Sequence, residues 1–269
     1  MSGLSGAEKG GTMPFALVGI GLGGGRLISH EAQDRLDRAD AVFVIEPEAV
    51  ARPMFERVKG RLISMDPVFD EITDRGKALE VLAQRVFDLA KEYAAPVLAL
   101  QGHPMVSCAP ARHLLRMFGD RGEPVDVYAG LSSIDMLWAD LGFDPVSTGV
   151  QIVNGAQVSR LGPTMPAVIL SPGYAPRSVA FKDRLAATAE MVARLISLWG
   201  DGAEFIIYRR TLDGPRFERL TVGNLVGIAA RPFLGDILLA GPATFFPALP
   251  GAKEVAGHED WGAGACLAE

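Results

Sequence analysis

The chain has 269 residues, 49% hydrophobic and 22% charged, enough for one large or two modest α/β domains with real cores. A net charge of −6 excludes a general electrostatic pull on nucleic-acid phosphates or anionic lipid. Cys108 and Cys266 are the only two cysteines, which excludes a disulfide framework and implies a reducing cytoplasm.

In chain order, residues 1–12 are rich in glycine and serine and lack the apolar run of a signal peptide. They read as a disordered tail, residues 1–13, with Met13 as an alternative start. No apolar stretch reaches the length of a membrane span without charges or breakers. Residues 15–20 (FALVGI) are a short apolar run ending in glycines, a buried strand and its turn. Residues 27–39 carry helical spacing through Leu27, Ala32, Leu36 and Ala39. Residues 41–45 (AVFVI) are a second buried strand, closed by Glu46 and Pro47. Residues 74–93 repeat apolar side chains at three- and four-residue steps, which predicts a long helix. Residues 96–100 are a third strand, followed by the turn Gly102-His103-Pro104. A helix over 110–119, a strand over 124–128 and a helix over 132–141 complete this half. Alternating strand and helix predicts a parallel sheet.

The second half changes character. It predicts strands over 150–153, 166–170, 203–208 and 235–240, a long helix over 180–199 and a short helix over 221–230. Gly130, Gly142, Pro145 and Gly149 place a domain boundary within 129–149. The expectation is an N-terminal lobe over 14–130, a C-terminal lobe over 131–250 and a flexible tail over 251–269.

Gly19, Gly21 and Gly24 satisfy the spacing of a dinucleotide-binding loop, and Glu46 stands where a ribose-binding acid belongs. Taken alone, this spacing supports an NAD or FAD enzyme, such as an NAD-dependent oxidoreductase. Alternatively, these glycines, with Gly23 and Gly25, only build a tight strand-to-helix turn.

Three ordered segments point elsewhere. LVGIGLGGGRLISHEAQDRLDRADAVFVIE (17–46) resembles the opening of the tetrapyrrole (corrin/porphyrin) methylases. LALQGHPMVS (98–107) resembles their Gly-Asp-Pro loop, with His103 in place of the aspartate. VDVYAGLSSIDMLWADLGFDP (125–145) resembles their Pro-Gly-Ile-Ser segment, with Ala129 in place of the proline. The Gly-His-Pro loop, the ADLGFDP ending and ATFFPALP (243–250) further resemble the borosin methyltransferases, which methylate backbone amides of a ribosomal peptide. In their tyrosine-flanked arginine segment this chain has DPVFDEITDRGKALEVL (66–82), with Arg75 as the matching arginine and Phe69, Ile72 and Leu79 around it instead of tyrosine.

The resemblance implies an α/β fold of two lobes, each a mixed or parallel sheet flanked by helices. It implies S-adenosyl-L-methionine as cofactor, a homodimer, and a separate precursor peptide or a small molecule as substrate. It places the cofactor between the lobes, against Leu22, Gly102, His103, Pro104, Val106, Ser132, Ser133, Asn154 and Ala156. Arg75, His103 and Tyr128 are the candidate catalytic residues. Each also has a plain reading: a solvated helix-start arginine, a loop-orienting histidine, a core tyrosine. Ser132 and Ser133 also read as helix N-caps, and Met136 and Trp138 as core. His30, His103, His113 and His258 show no metal-ligand spacing, so no metal is expected. A methyltransferase of peptides, a methyltransferase of tetrapyrroles or other small molecules, a nicotinamide enzyme and a non-catalytic binding module are the competing functions.

Overall fold

The computed structural model describes residues 12–45, 52–171, 181–200, 202–211, 214–220, 237–242 and 253–254. Residues 1–11 of the expected tail, Glu46, the helix expected over 221–230 and the segment 243–250 lie outside the described residues. The chain divides after Leu131 into two compact units.

The first unit holds, among the described residues, a five-stranded parallel sheet. Its strands are β1 (Phe15–Gly19), β2 (Ala41–Val44), β3 (Arg61–Ser64), β4 (Pro96–Leu100) and β5 (Val125–Tyr128), in the order β3-β2-β4-β1-β5. Its helices are α1 (His30–Asp37), α2 (Arg52–Phe55), α3 (Pro67–Glu71), α4 (Arg75–Ala90) and α5 (Ala109–Gly119). β1, β2 and β4 are apolar at nearly every position because both sheet faces are covered. Phe15, Leu17, Phe43 and Leu98 pack with Leu82 and Val86 of α4 and Leu114 and Phe118 of α5. Ala16, Val18, Val42 and Val97 pack with Ala32 and Leu36 of α1. Each buried leucine or phenylalanine contributes about 1.5–3 kcal/mol.

Capping decides where the helices start. α1 begins three residues later than its apolar spacing predicts, because Ser29 Oγ accepts the Ala32 N–H at 3.2 Å. Asp74 caps α4 in the same way, accepting from Lys77 N at 2.9 Å. α4 stops at Ala90, short of residue 93, and the chain turns into β4 under the carboxylate of Asp40. That carboxylate accepts from Ala94 N at 2.7 Å and Ala95 N at 2.8 Å. Beside it the buried Arg35 donates to the carbonyls of Pro14 and Pro96, each at 3.1 Å, joining the starts of β1 and β4. Burial holds its guanidinium below the usual arginine range, against the pull of nearby Tyr128, Asp126 and Asp40. β3 has no counterpart in the sequence pattern: it is an exposed edge strand with no apolar run.

The second unit holds α6 (Ser133–Leu141), α7 (Pro145–Thr148), β6 (Gln151–Asn154), a 3₁₀ segment (Gly155–Arg160), β7 (Ala167–Leu170), α8 (Phe181–Trp199), β8 (Ala203–Thr211), β9 (Gly214–Leu220), β10 (Ile237–Pro242) and β11 (Lys253–Glu254). Among the described residues its sheet is mixed, in the order β11-β9-β8-β10-β7-β6. The β7, β10, β8 and β9 pairs are antiparallel, and β6 and β11 join the two edges in parallel. Ile169, Phe205, Ile207 and Leu238 face Met191, Val192 and Leu195 of α8. Val168, Ile206, Tyr208 and Leu239 face Leu137 and Leu141 of α6. β9 was hidden in the sequence by Arg216, Glu218 and Arg219, which interrupt its apolar residues. Lys253 and Glu254, read as part of a loose tail, pair with Glu218 and Arg219.

Candidate functional site

In the first unit β1 and β4 are neighbours whose following connections part. β1 leads through α1 to β2 on one side, and β4 leads through α5 to β5 on the other. α1 and α5 cover opposite faces of the sheet. Such a switch point leaves a crevice at the carboxyl ends of the strands, where open α/β sheets bind ligands. The glycine loop after β1 and the Gly-His-Pro loop after β4 both start there.

Their backbones are stitched together. Gly102 N donates to Gly21 O at 2.9 Å, and Gly21 N donates to Gly102 O at 3.3 Å. A Cβ on Gly19 would stand 2.6 Å from both Gly102 O and Gly130 N, and one on Gly130 would stand 2.3 Å from Gly102 O. The ends of β1, β4 and β5 therefore meet at a distance only glycine permits.

Leu22 follows Gly21 and is half-buried. Gly102 and Pro104 are buried, and His103 and Val106 are half-buried. His103 Nδ1 accepts the Met105 N–H at 3.0 Å, and Val106 N donates to the His103 carbonyl at 3.0 Å. With Nδ1 as acceptor, the ring proton of the neutral imidazole is on Nε2. His103 thus closes the turn as a short carboxylate or amide side chain would, by bonding the backbone two residues on. Tyr128 ends β5 and packs against the α1 side of the core. Arg75 is the first residue of α4; its side chain lies outside the described part.

In the second unit Ser132 is the N-cap of α6. Its Oγ accepts from Asp135 N at 3.2 Å and donates to the Asp135 carboxylate at 2.6 Å, and its N–H donates there at 2.7 Å. Ser133 opens the helix. Asn154 ends β6, and its Oδ1 accepts from Ala156 N at 3.1 Å, starting the 3₁₀ segment. Trp138 packs with Phe143 in the core of this unit. Asp135 was not singled out in the sequence, although Ser132-x-x-Asp135 is the spacing of a capping box. Leu131, 42% exposed, was also missed, and Met105, within the expected Gly102–Val106 loop, is 48% exposed. Both are apolar side chains on the site's loops, and only the structure shows them uncovered.

The chemistry of these segments fits one cofactor better than the other. Residues 19–25, 101–108 and 128–133 carry no acidic or basic side chain apart from the imidazole of His103. A neutral, glycine-lined edge with exposed Met105 and Leu131 suits a sulfonium with an adenine ring. It offers no cation to a pyrophosphate. The dinucleotide reading fails on topology too. β4 stands between β1 and β2, so the end of β2 is not beside the glycine loop. α1 does not begin until His30, past Gly25, which removes the helix N-terminus from the glycines. Among the described residues no group of three His, Cys, Asp or Glu side chains is placed to hold a metal. Among the same residues no helix is long and apolar enough to cross a membrane.

The model of the Tetrapyrrole (Corrin/Porphyrin) Methylases matches residues 14–225. The chain belongs to this family of S-adenosylmethionine-dependent methyltransferases. The methylase is 26% identical over 155 residues to a methyltransferase/type II borosin cyclic peptide precursor of Phlebiopsis gigantea, covering 57% of this chain and 28% of that protein. It is 23% identical over 135 residues to a type I borosin precursor of Coprinopsis marcescibilis, covering 50% and 34%. The chain thus matches about a third or less of the length of these relatives. Among solved structures, it resembles uroporphyrin-III C-methyltransferase from Thermus thermophilus complexed with S-adenosyl homocysteine, with a TM-score of 0.60 and 15% identity over 86% of this chain and 99% of that one. The methyltransferase CobJ gives a TM-score of 0.63 and 16% identity over 85% and 94%. The fold of this methylase is the one expected: α/β, with a parallel sheet and a mixed sheet flanked by helices.

Proposed function

We propose that this methylase transfers the methyl group of S-adenosylmethionine to backbone amides of a separate ribosomal precursor peptide. The observation that carries the methyl transfer is the glycine knot of Gly19, Gly21, Gly102 and Gly130 at an uncharged switch point. The peptide substrate is supported by the similarity to two borosin precursors. When bound, the cofactor supplies an electrophilic methyl carbon on a sulfonium.

The chain's own residues then hold and orient. Backbone groups of Gly102, His103, Pro104 and Val106, with Leu22, are the candidates to hold the cofactor. Ser132, Ser133, Asn154 and Ala156 are candidates to contribute hydroxyl, amide and backbone groups. His103 keeps the loop in shape through Met105 and so acts by positioning. Arg75 and Tyr128 are the candidates for acting on the substrate, Arg75 by stabilising a developing amidate or holding a substrate carboxylate. Displacement at a methyl carbon depends on approach geometry, and alignment of the reactants supplies about 7–11 kcal/mol in favourable cases. We infer a homodimer acting in the cytoplasm.

Mass spectrometry of a peptide encoded beside this chain, after co-expression, tests the substrate. Increments of one methylene on backbone nitrogens support it, and a peptide left unmodified in the presence of active enzyme removes it. A second reading, a tetrapyrrole or other small molecule as acceptor, is favoured by the likeness to uroporphyrin-III C-methyltransferase over almost the whole of that chain. Methylation of a porphyrinogen by the purified protein, with no change to the peptide, selects it.

A further inference from the structure

The segment ADLGFDP contains Asp140, which the cofactor reading does not use. Asp140 lies in the last turn of α6. A carboxylate there faces the negative end of the helix dipole, and aspartate is a poor helix former. The placement works against the helix locally, so its compensation has to come from the tertiary structure.

That compensation is on β8. Tyr208 Oη donates to Asp140 Oδ2 at 2.7 Å, and Arg210 forms an ion pair with Asp140 Oδ1. The Tyr208 ring is fully buried, between Phe217 of β9 and Ile237 of β10 in the sheet register, and packs with Phe217 at 5.3 Å. Its hydroxyl therefore has one fixed position. Tyr208 and Arg210 are two residues apart and so share a face of the strand. Leu137 and Leu141 set α6 against the same face. Apolar packing is non-directional and tolerates sliding along the helix axis. The hydrogen bond and the ion pair do not.

We propose that Tyr208, Asp140 and Arg210 are positioning residues that fix α6 along its axis and thereby place Ser132 and Ser133. The capping box of Ser132 and Asp135 makes the N-terminal end rigid, so a displacement at Asp140 is carried to the two serines. A slip of one residue corresponds to about 1.5 Å, and about 1 Å of misplacement is enough to impair a catalytic site. The inference rests on the reading that Ser132 and Ser133 hold the cofactor.

Calorimetric titration with S-adenosylhomocysteine tests it on the full chain. Tyr208→Phe and Arg210→Met are expected to weaken binding by about five- to tenfold, the loss of one or two directional bonds. Arg210→Lys keeps the ion pair and is expected to recover most of the affinity. Ile169→Val trims the opposite face of the same sheet, where it packs with α8. It is expected to lower the melting temperature and leave the affinity unchanged. Wild-type affinity in Tyr208→Phe and Arg210→Met overturns the inference, and so does an equal loss in Ile169→Val. If Tyr208→Phe fails to fold, Arg210→Met, altering a side chain 33% exposed, decides alone. Absence of binding by the wild type removes the cofactor reading and this role with it. Binding by the wild type with unaltered variants removes only this role.

Discussion

Gly21 and Gly102 exchange two backbone hydrogen bonds across the carboxyl ends of β1 and β4. This pair joins the two loops at the switch point of the first sheet. Gly21 has φ +68°, and a Cβ there would stand 2.5 Å from Leu27 O.

Gly21→Ala is therefore expected to lose about 1–2 kcal/mol to the left-handed backbone alone, with more lost to the clash. Gly122 has φ +70° with nothing near its Cβ, so Gly122→Ala carries only the backbone strain. Urea unfolding of both variants, beside S-adenosylhomocysteine titration, checks this. Gly21→Ala should lose stability and binding, and Gly122→Ala should bind as the wild type does.

His103 bonds the Met105 N–H with its ring nitrogen, and a carboxylate or amide oxygen can do the same. His103→Asp and His103→Asn are expected to retain cofactor affinity. His103→Ala should weaken it roughly three- to tenfold, the worth of one hydrogen bond. If His103 were a general base, His103→Asn would bind normally and lose turnover, so turnover measured beside affinity separates the two roles.

Asp40 accepts two backbone N–H groups at the start of β4. Asp40→Ala removes the acceptor of both donors and leaves that of the buried Ala95 unpaired, which should cost about 1–3 kcal/mol. Asp40→Asn keeps one acceptor oxygen and should lose less. Chemical denaturation of the two variants ranks them.

Burial, and then the bond to Asp140, holds the Tyr208 phenol above its ordinary value of 10.0. Above pH 10 the unfolded chain releases this proton while the native state keeps it. The unfolded state then binds fewer protons, and stability falls as pH rises. Below that pH the contribution is fully present. Denaturation between pH 9 and 11 should show a steeper alkaline loss in the wild type than in Tyr208→Phe, with 10.0 as the turning point.

The first unit was largely legible in the sequence because its central strands are buried on both faces. FALVG, AVFV and PVLAL read directly as apolar runs. Elements whose burial is partial were not legible: β3 at an exposed edge, and β9 with charges among its buried residues. The start of α1 shifted because Ser29 sets it, not the apolar spacing, whereas α4 starts beside its N-cap Asp74, where it was expected. In the site, glycine spacing by itself pointed to a nicotinamide enzyme. Strand order corrected it, and strand order is not written in any local run of residues. The closeness of Gly19, Gly102 and Gly130 is likewise a long-range fact. So is the network of Asp140 with Tyr208 and Arg210, whose members lie far apart in the chain.

The most direct measurement is paired calorimetric titration of the purified chain with S-adenosylhomocysteine and with NADH. Saturable one-site binding of S-adenosylhomocysteine, lost in Gly21→Ala, with no heat from NADH, is the expected result. Saturable binding of NADH with none of S-adenosylhomocysteine would contradict it.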